Sequence, residues 1–179
     1  MQLPRHIVIT GASSGIGESL GRAYATKGIR IGLLGRRKEN LEKIAADLRK
    51  TGADVWVGVV DVTQRELLAQ ILVDADTGQP IDLLIANAGI SAGTFGAGES
   101  ETQARAIFAT NLDGVLNTIH PILPRMQNRR SGQVALMASL AGFRGFPSAP
   151  AYCASKAAVR LYGEALRGEY AKWGIQINV

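Results

Sequence analysis

The sequence predicts an α/β domain in which a doubly wound parallel sheet carries helices on both faces. Three observations carry that expectation. Short β-branched runs alternate along the chain with longer amphipathic stretches, the pattern of repeated strand–helix–strand units. Some runs, such as Ile81-Asp82-Leu83-Leu84-Ile85-Ala86, are almost continuously apolar, as strands covered on both faces are. A glycine-rich turn stands directly between the first run and the first amphipathic stretch, where open parallel sheets bind ligands.

In chain order, strands are expected over residues 6–10, 30–34, 55–60, 81–86 and 133–138, with a last one beginning at Ile175. Helices are expected over 15–27, 39–51, 64–76, 100–129 and 151–173. Pro121 and Pro124 fall inside the fourth helix. Proline removes a backbone donor and crowds the preceding turn, so a kink or early break belongs there. Two stretches read as functional loops: 91–98, rich in glycine and alanine, and 141–150, rich in glycine and proline. No linker or internal repeat divides the chain, so residues 1–179 are expected to form a single domain.

Composition narrows the class. The 179 residues are 46% apolar and 20% charged, enough to bury a core and unlike a disordered chain. No apolar run approaches the roughly 20 residues that span a bilayer, and Met1-Gln2-Leu3-Pro4-Arg5 does not read as a secretory signal. The lone Cys153 cannot form an internal disulfide, and with two histidines it is too little for a zinc framework. These features predict a cytoplasmic protein with no membrane span. The net charge of +5 is scattered, apart from Arg36-Arg37 and Arg129-Arg130. No basic stripe interleaved with aromatics appears, so nucleic acid is not an expected partner. Arg129-Arg130 reads as a solvated helix end, favourable to the helix dipole.

The first strand runs into Thr10-Gly11-Ala12-Ser13-Ser14-Gly15-Ile16-Gly17. Glycines there let the backbone turn tightly and approach a pyrophosphate at a helix N-terminus. Gly11, Ser13, Ser14, Gly15, Ile16 and Gly17 are the residues placed to touch it. A glycine turn kept only for packing is the plainer reading. At the end of the second strand a carboxylate would hold the adenosine ribose of NAD; this sequence has Leu34-Gly35-Arg36-Arg37-Lys38 instead. Guanidinium groups pair bidentately with phosphate oxygens, so Arg36 and Arg37 suit a ribose 2′-phosphate and predict NADP(H) over NAD(H). An exposed basic loop is the alternative. Asp61, with Val62 beside it, follows the third strand, where a carboxylate can accept from the adenine amino group; a helix cap shared with Thr63 is the other reading. Asn87-Ala88-Gly89 ends the fourth strand, where small residues let the backbone lie against a nucleotide, or simply make a turn.

Tyr152 and Lys156 stand at i and i+4 at the start of the last helix, hence on one face. A phenol ordinarily ionises near pH ~10 and is a weak base at neutrality. A neighbouring ammonium favours its ionised form. Ser139, just past the fifth strand, can hydrogen-bond a substrate carbonyl. Each pattern alone is ordinary.

Thr10-Gly11-x-x-x-Gly15-x-Gly17, Asn87-Ala88-Gly89, Asn111, Ser139 and Tyr152-x-x-x-Lys156 occur together and in order. That set resembles the short-chain dehydrogenase/reductase family along the whole chain. The resemblance implies a Rossmann-like fold and an oxidoreductase that interconverts a small-molecule carbonyl and an alcohol with a nicotinamide cofactor. It assigns Tyr152 as acid/base and Ser139 as the group that positions the carbonyl. Lys156 would bind the nicotinamide ribose and favour the phenolate, and Asn111 would hold a water in a proton relay. It also implies a homo-oligomer, dimer or tetramer, built on helices 100–129 and 151–173. Phe95, Phe143 and Phe146 in the two loops point toward an apolar substrate. Members of the family continue past the strand at 175–179 into further cofactor-binding and substrate-covering elements, so the chain reads as C-terminally shortened, a fragment or a naturally short form. A truncated nucleotide-binding module without turnover of its own is the competing reading, and an isomerase or dehydratase on the same scaffold is a third. His6 and His120 read as structural or surface residues, Cys153 as a packing residue, and Trp56, Trp173 and Phe108 as core or interface anchors.

Overall fold

The run His6–Thr10 is buried at every position, which only a strand covered on both faces can satisfy. The computed structural model describes residues 4–91 and 99–179 and places this strand, β1, near the middle of a parallel sheet. The other strands of the sheet are β2 (Arg30–Gly35), β3 (Asp54–Val59), β4 (Leu83–Ala86), β5 (Gly132–Leu136) and β6 (Ile175–Asn178). The strand order is β3-β2-β1-β4-β5-β6. β1 pairs with β2 on one side and β4 on the other, so the order reverses there and a crevice opens at the carboxyl ends of the strands.

Alternation along β1 separates two cores. Ile7 and Ile9 pack with Leu41, Ile44 and Leu48 of helix α2 (Lys38–Arg49), beside Leu20 and Tyr24 of α1 (Gly15–Tyr24). Val8 faces the other way, into a cluster holding Leu68 and Leu72 of α3 (Arg65–Gly78). The same cluster takes residues from α5 (Gly114–Ile119), α6 (Leu123–Arg129) and α7 (Pro150–Tyr170). The sheet is therefore covered on both faces, as the apolar strands require.

Observed elements match the expected ones in kind and shift by a few residues at their ends. The fourth helix is different. Residues 100–129 divide into α4 (Glu101–Phe108), a π-helical turn (Ala109–Asp113), α5 and α6. The interruption before α6 contains Pro121, as proline chemistry demands, and Pro124 sits in the first turn of α6, where its missing N–H is no loss. The π turn has no such sequence marker.

Arg129 corrects the expectation of a solvated helix end. Its guanidinium lies 3.0 Å from the buried Asp76 carboxylate and donates to the Ile81 carbonyl at 2.7 Å. Arg125 reaches the same carboxylate at 2.6 Å, so the pair fastens α6 to the end of α3. Arg130 takes the left-handed conformation that ends α6 and lies over the Trp173 ring. The expected loop 91–98, with Phe95, lies outside the described residues apart from Ser91. Among the described residues no helix is long and apolar enough to cross a membrane.

Candidate active site

The crevice at the reversal of strand order is a cleft of about 430 Å³. One end is the backbone of the glycine turn, fastened by two side chains. The Thr10 hydroxyl accepts from the N–H groups of Asn87 and Ala88, both at 3.2 Å, and donates to the Ile85 carbonyl. Asn87 answers by donating from its side-chain amide to the carbonyls of Thr10 and Gly11. β1 and β4 are thereby locked together where they end. Gly11 has φ +68°, and a Cβ on it would stand 2.7 Å from the Ala88 Cα. A Cβ on Gly17 would overlap the Gly11 carbonyl oxygen. The turn thus has no room for side chains at either position, and the floor it makes is bare backbone. Gly11, Ser13, Ser14 and Ile16 line the cleft; Gly17 is packed behind them, and Gly15 is exposed with φ +57°.

The basic residues stand on the same wall. Arg37 donates from Nε and Nη2 to the Ser13 hydroxyl at 3.1 and 3.0 Å, and from Nη2 to the Ser14 hydroxyl. The end of β2 is thereby tied to the glycine turn. Arg36 lies 3.5 Å from Asp61. The Asp61 carboxylate also accepts from the Thr63 N–H and hydroxyl at 3.0 and 2.9 Å. Burial pushes that carboxyl upward, but the two Thr63 bonds and the Arg36 charge outweigh it and hold it below the usual range. Val62, Asn87, Ala88 and Gly89 complete this part of the lining.

The other end is built by side chains from distant segments. Tyr152 and Lys156 project from the first turns of α7 into the cleft beside Ser139. The Lys156 Nζ lies 5.9 Å from the centre of the Tyr152 ring and donates to the Met137 carbonyl at 2.7 Å. Burial lowers its pKa from the usual lysine value. Ser139 accepts from the Ala141 N–H at 3.1 Å, which leaves its hydroxyl proton to donate elsewhere. Asn111 sits in the π turn, fully buried, and does not itself line the cleft. Its side chain accepts from the Ile90 N–H and donates to the Ile90 carbonyl and the Ser155 hydroxyl. Its amide is therefore occupied as a brace between the end of β4 and α7.

Sequence reasoning missed several contributors. The Met137 carbonyl that receives Lys156, and Ile90 and Thr110 on the cleft wall, carry no signature residue type. Gly142 did carry a signal: a Cβ there would stand 2.8 Å from the Lys156 carbonyl oxygen, so a side chain would push the Ser139 turn off α7.

With this geometry in view, the similarities are specific. The model of the short chain dehydrogenase family matches residues 5–179. An uncharacterized oxidoreductase of Mycobacterium tuberculosis is 37% identical over 178 residues, covering 97% of this chain and 70% of that protein. The structure of a 3-oxoacyl-[acyl-carrier protein] reductase with bound NAD, from Brucella melitensis, superposes with a TM-score of 0.88 at 26% identity, over 97% of this chain and 68% of that one. L-Sorbose reductase from Gluconobacter frateurii, complexed with NADPH and L-sorbose, superposes with a TM-score of 0.87 at 25% identity, over 97% and 66%. The chain spans about two thirds of the length of these enzymes.

Proposed function

The chain belongs to the short-chain dehydrogenase family, and on that premise we propose that it forms one nucleotide-binding domain that binds NADP(H) and interconverts a carbonyl and an alcohol. The observation that carries this reading is the meeting of Ser139, Tyr152 and Lys156 with the glycine turn and Arg36-Arg37 along one cleft. A dinucleotide fits the residues present. Gly11 and Gly17 are packed against neighbouring backbone so closely that neither admits a side chain. This leaves the turn as bare main chain next to the start of α1, whose backbone N–H groups favour an anion. Arg36 and Arg37 would supply cations for a 2′-phosphate, and Asp61 and Val62 would hold the adenine. Relatives of both cofactor types exist, so the preference for NADP(H) rests on these two arginines.

When bound, the nicotinamide supplies or accepts the hydride. The chain's own residues manage the substrate oxygen. Ser139 donates its hydroxyl proton to the carbonyl oxygen and holds the carbon in place. Tyr152 gives a proton to that oxygen in reduction and takes it back in oxidation. The Lys156 ammonium stabilises the phenolate left behind. A Cβ placed on Gly89 would lie 3.3 Å from the Asn111 Oδ1 and 3.5 Å from Lys156 Nζ, so both groups border Gly89. Lys156, which lines the cleft, is the one that can return a proton to Tyr152, while Asn111 braces the end of β4 against α7. Phe108 on α4 and Leu161 on α7 are exposed, which supports a homo-oligomer packed through those helices.

The test is NADPH-dependent reduction of a panel of apolar and sugar-like ketones. Tyr152→Phe is expected to lower turnover by roughly 10²- to 10⁴-fold with NADPH binding retained. Equal turnover in that variant would remove Tyr152 from the reaction. Binding without turnover in the unaltered chain would instead assign a nucleotide-binding module.

A further inference from the structure

Helix α7 begins without a cap of its own. Its N-cap residue is Ala149, which has no side-chain acceptor, and Pro150 at the first helical position has no N–H. Cys153 N–H reaches the Ala149 carbonyl at 2.9 Å. The N–H groups left over are those of Ala151 and Tyr152. Both are taken by one carboxylate from elsewhere: Glu99 Oε2 accepts from Ala151 and Oε1 accepts from Tyr152 at 3.1 Å. The partners are 52 and 53 residues apart in sequence, so the cap that is normally local is supplied across the fold.

The neighbouring residue does the same for another helix. Ser100 accepts from the Gln103 N–H and caps α4. Two successive residues therefore fix the starts of two helices, one bearing Tyr152 and Lys156 and the other leading into the π turn that holds Asn111. A negative charge at the first turn of α7 also suits the helix dipole.

We infer that Glu99 is a positioning residue for Tyr152, setting the height and direction of the first turn of α7 and with it the phenol in the cleft. Its catalytic consequence rests on Tyr152 being the proton donor; the capping does not. Lys156 is held by Met137 and Ser155 by Asn111, so loss of Glu99 should loosen the start of α7 without releasing the rest of the helix.

Amide hydrogen exchange by NMR on the 179-residue chain tests this, alongside Glu99→Gln and Glu99→Ala. In Glu99→Ala the Ala151 and Tyr152 amides should exchange about 10- to 100-fold faster, with Val8 and Ile9 in β1 unchanged. Glu99→Gln, which keeps one acceptor oxygen, should fall between. With ¹³C-labelled tyrosine, the ring signal that disappears in Tyr152→Phe should move in Glu99→Ala. Ketone reduction should lose kcat by about tenfold, with NADPH affinity within about twofold and partial rescue in Glu99→Gln. Unchanged exchange at both amides, or exchange accelerated equally throughout the sheet, would overturn the inference. Faster exchange with the Tyr152 signal and kcat unmoved would also overturn it, leaving only a structural cap. Failure of the acid/base reading shows separately, as full turnover in Tyr152→Phe, while the exchange pattern and ring signal still decide the role of Glu99.

Discussion

The two ends of the cleft are held by different means. At the end that holds the glycine turn, the Thr10 hydroxyl and the Asn87 amide fasten strand ends that already lie side by side, and the glycines leave bare backbone between them. At the end that holds Tyr152, the fixing bonds tie helix α7 to segments with which it shares no sheet ladder. Lys156 reaches Met137, Asn111 reaches Ser155, and Glu99 reaches the start of α7. The first end fails when an atom is added, because a Cβ has nowhere to go. The second fails when an atom is removed, because a buried or capping hydrogen bond is lost. One cleft thus carries two opposite sensitivities.

Substitutions can separate them. The largest effect should come from Tyr152→Phe, with turnover down about a thousandfold and NADPH affinity within about twofold, measured by steady-state kinetics and fluorescence titration on the same preparation. Gly17→Ala should do the reverse. The overlap of its Cβ with the Gly11 carbonyl should displace the turn at a cost of about 1–3 kcal/mol, weakening NADPH about 10- to 100-fold by calorimetric titration. Arg37→Ala should weaken NADPH about tenfold and NADH much less, since both lose the brace to Ser13 and Ser14 and NADPH alone loses a 2′-phosphate contact. Equal weakening of both cofactors would mean that Arg37 matters through Ser13 and Ser14, as a brace for the turn.

The smallest effect lies away from both ends. His6 is buried, with Nδ1 bonded to the Gln79 carbonyl at 2.7 Å and Nε2 facing the Trp56 indole N–H at 3.2 Å. A carbonyl on one nitrogen and a donor on the other fix the neutral imidazole with its proton on Nδ1. Burial lowers its pKa, so the unfolded chain takes up the proton first. Its contribution to stability is fully present above about pH 6.5 and is lost as pH falls from there toward the folded pKa, by at most about 1.4 kcal/mol per pH unit. Trp56→Phe should make that slope shallower in urea unfolding followed across pH, while NADPH affinity at neutral pH stays constant.

The same division explains what could be read from the sequence. β1, the glycine turn, Arg36-Arg37 and Asn87-Ala88-Gly89 announce themselves because their signals are local: apolar runs, glycine spacing, charge at a strand end. Tyr152-x-x-x-Lys156 was legible as one helical face. What holds that face was not. Glu99 reads as an ordinary acidic residue, and nothing in the sequence pairs it with an α7 that has Ala149 and Pro150 where a cap would stand. The π turn at Asn111 was hidden because apolar periodicity runs on through residues 100–129, and only Pro121 and Pro124, both beyond the turn, mark a break. Arg129 looked solvated because its partner, Asp76, lies at the end of another helix.

If Arg36 and Arg37 read a 2′-phosphate, the cleft must tell NADPH from NADH. Titration of the 179-residue chain with NADPH and separately with NADH, followed by nicotinamide fluorescence, tests it directly. Saturable binding of both is expected, with NADPH at least about tenfold tighter. Binding of neither, or NADH bound more tightly than NADPH, would contradict it.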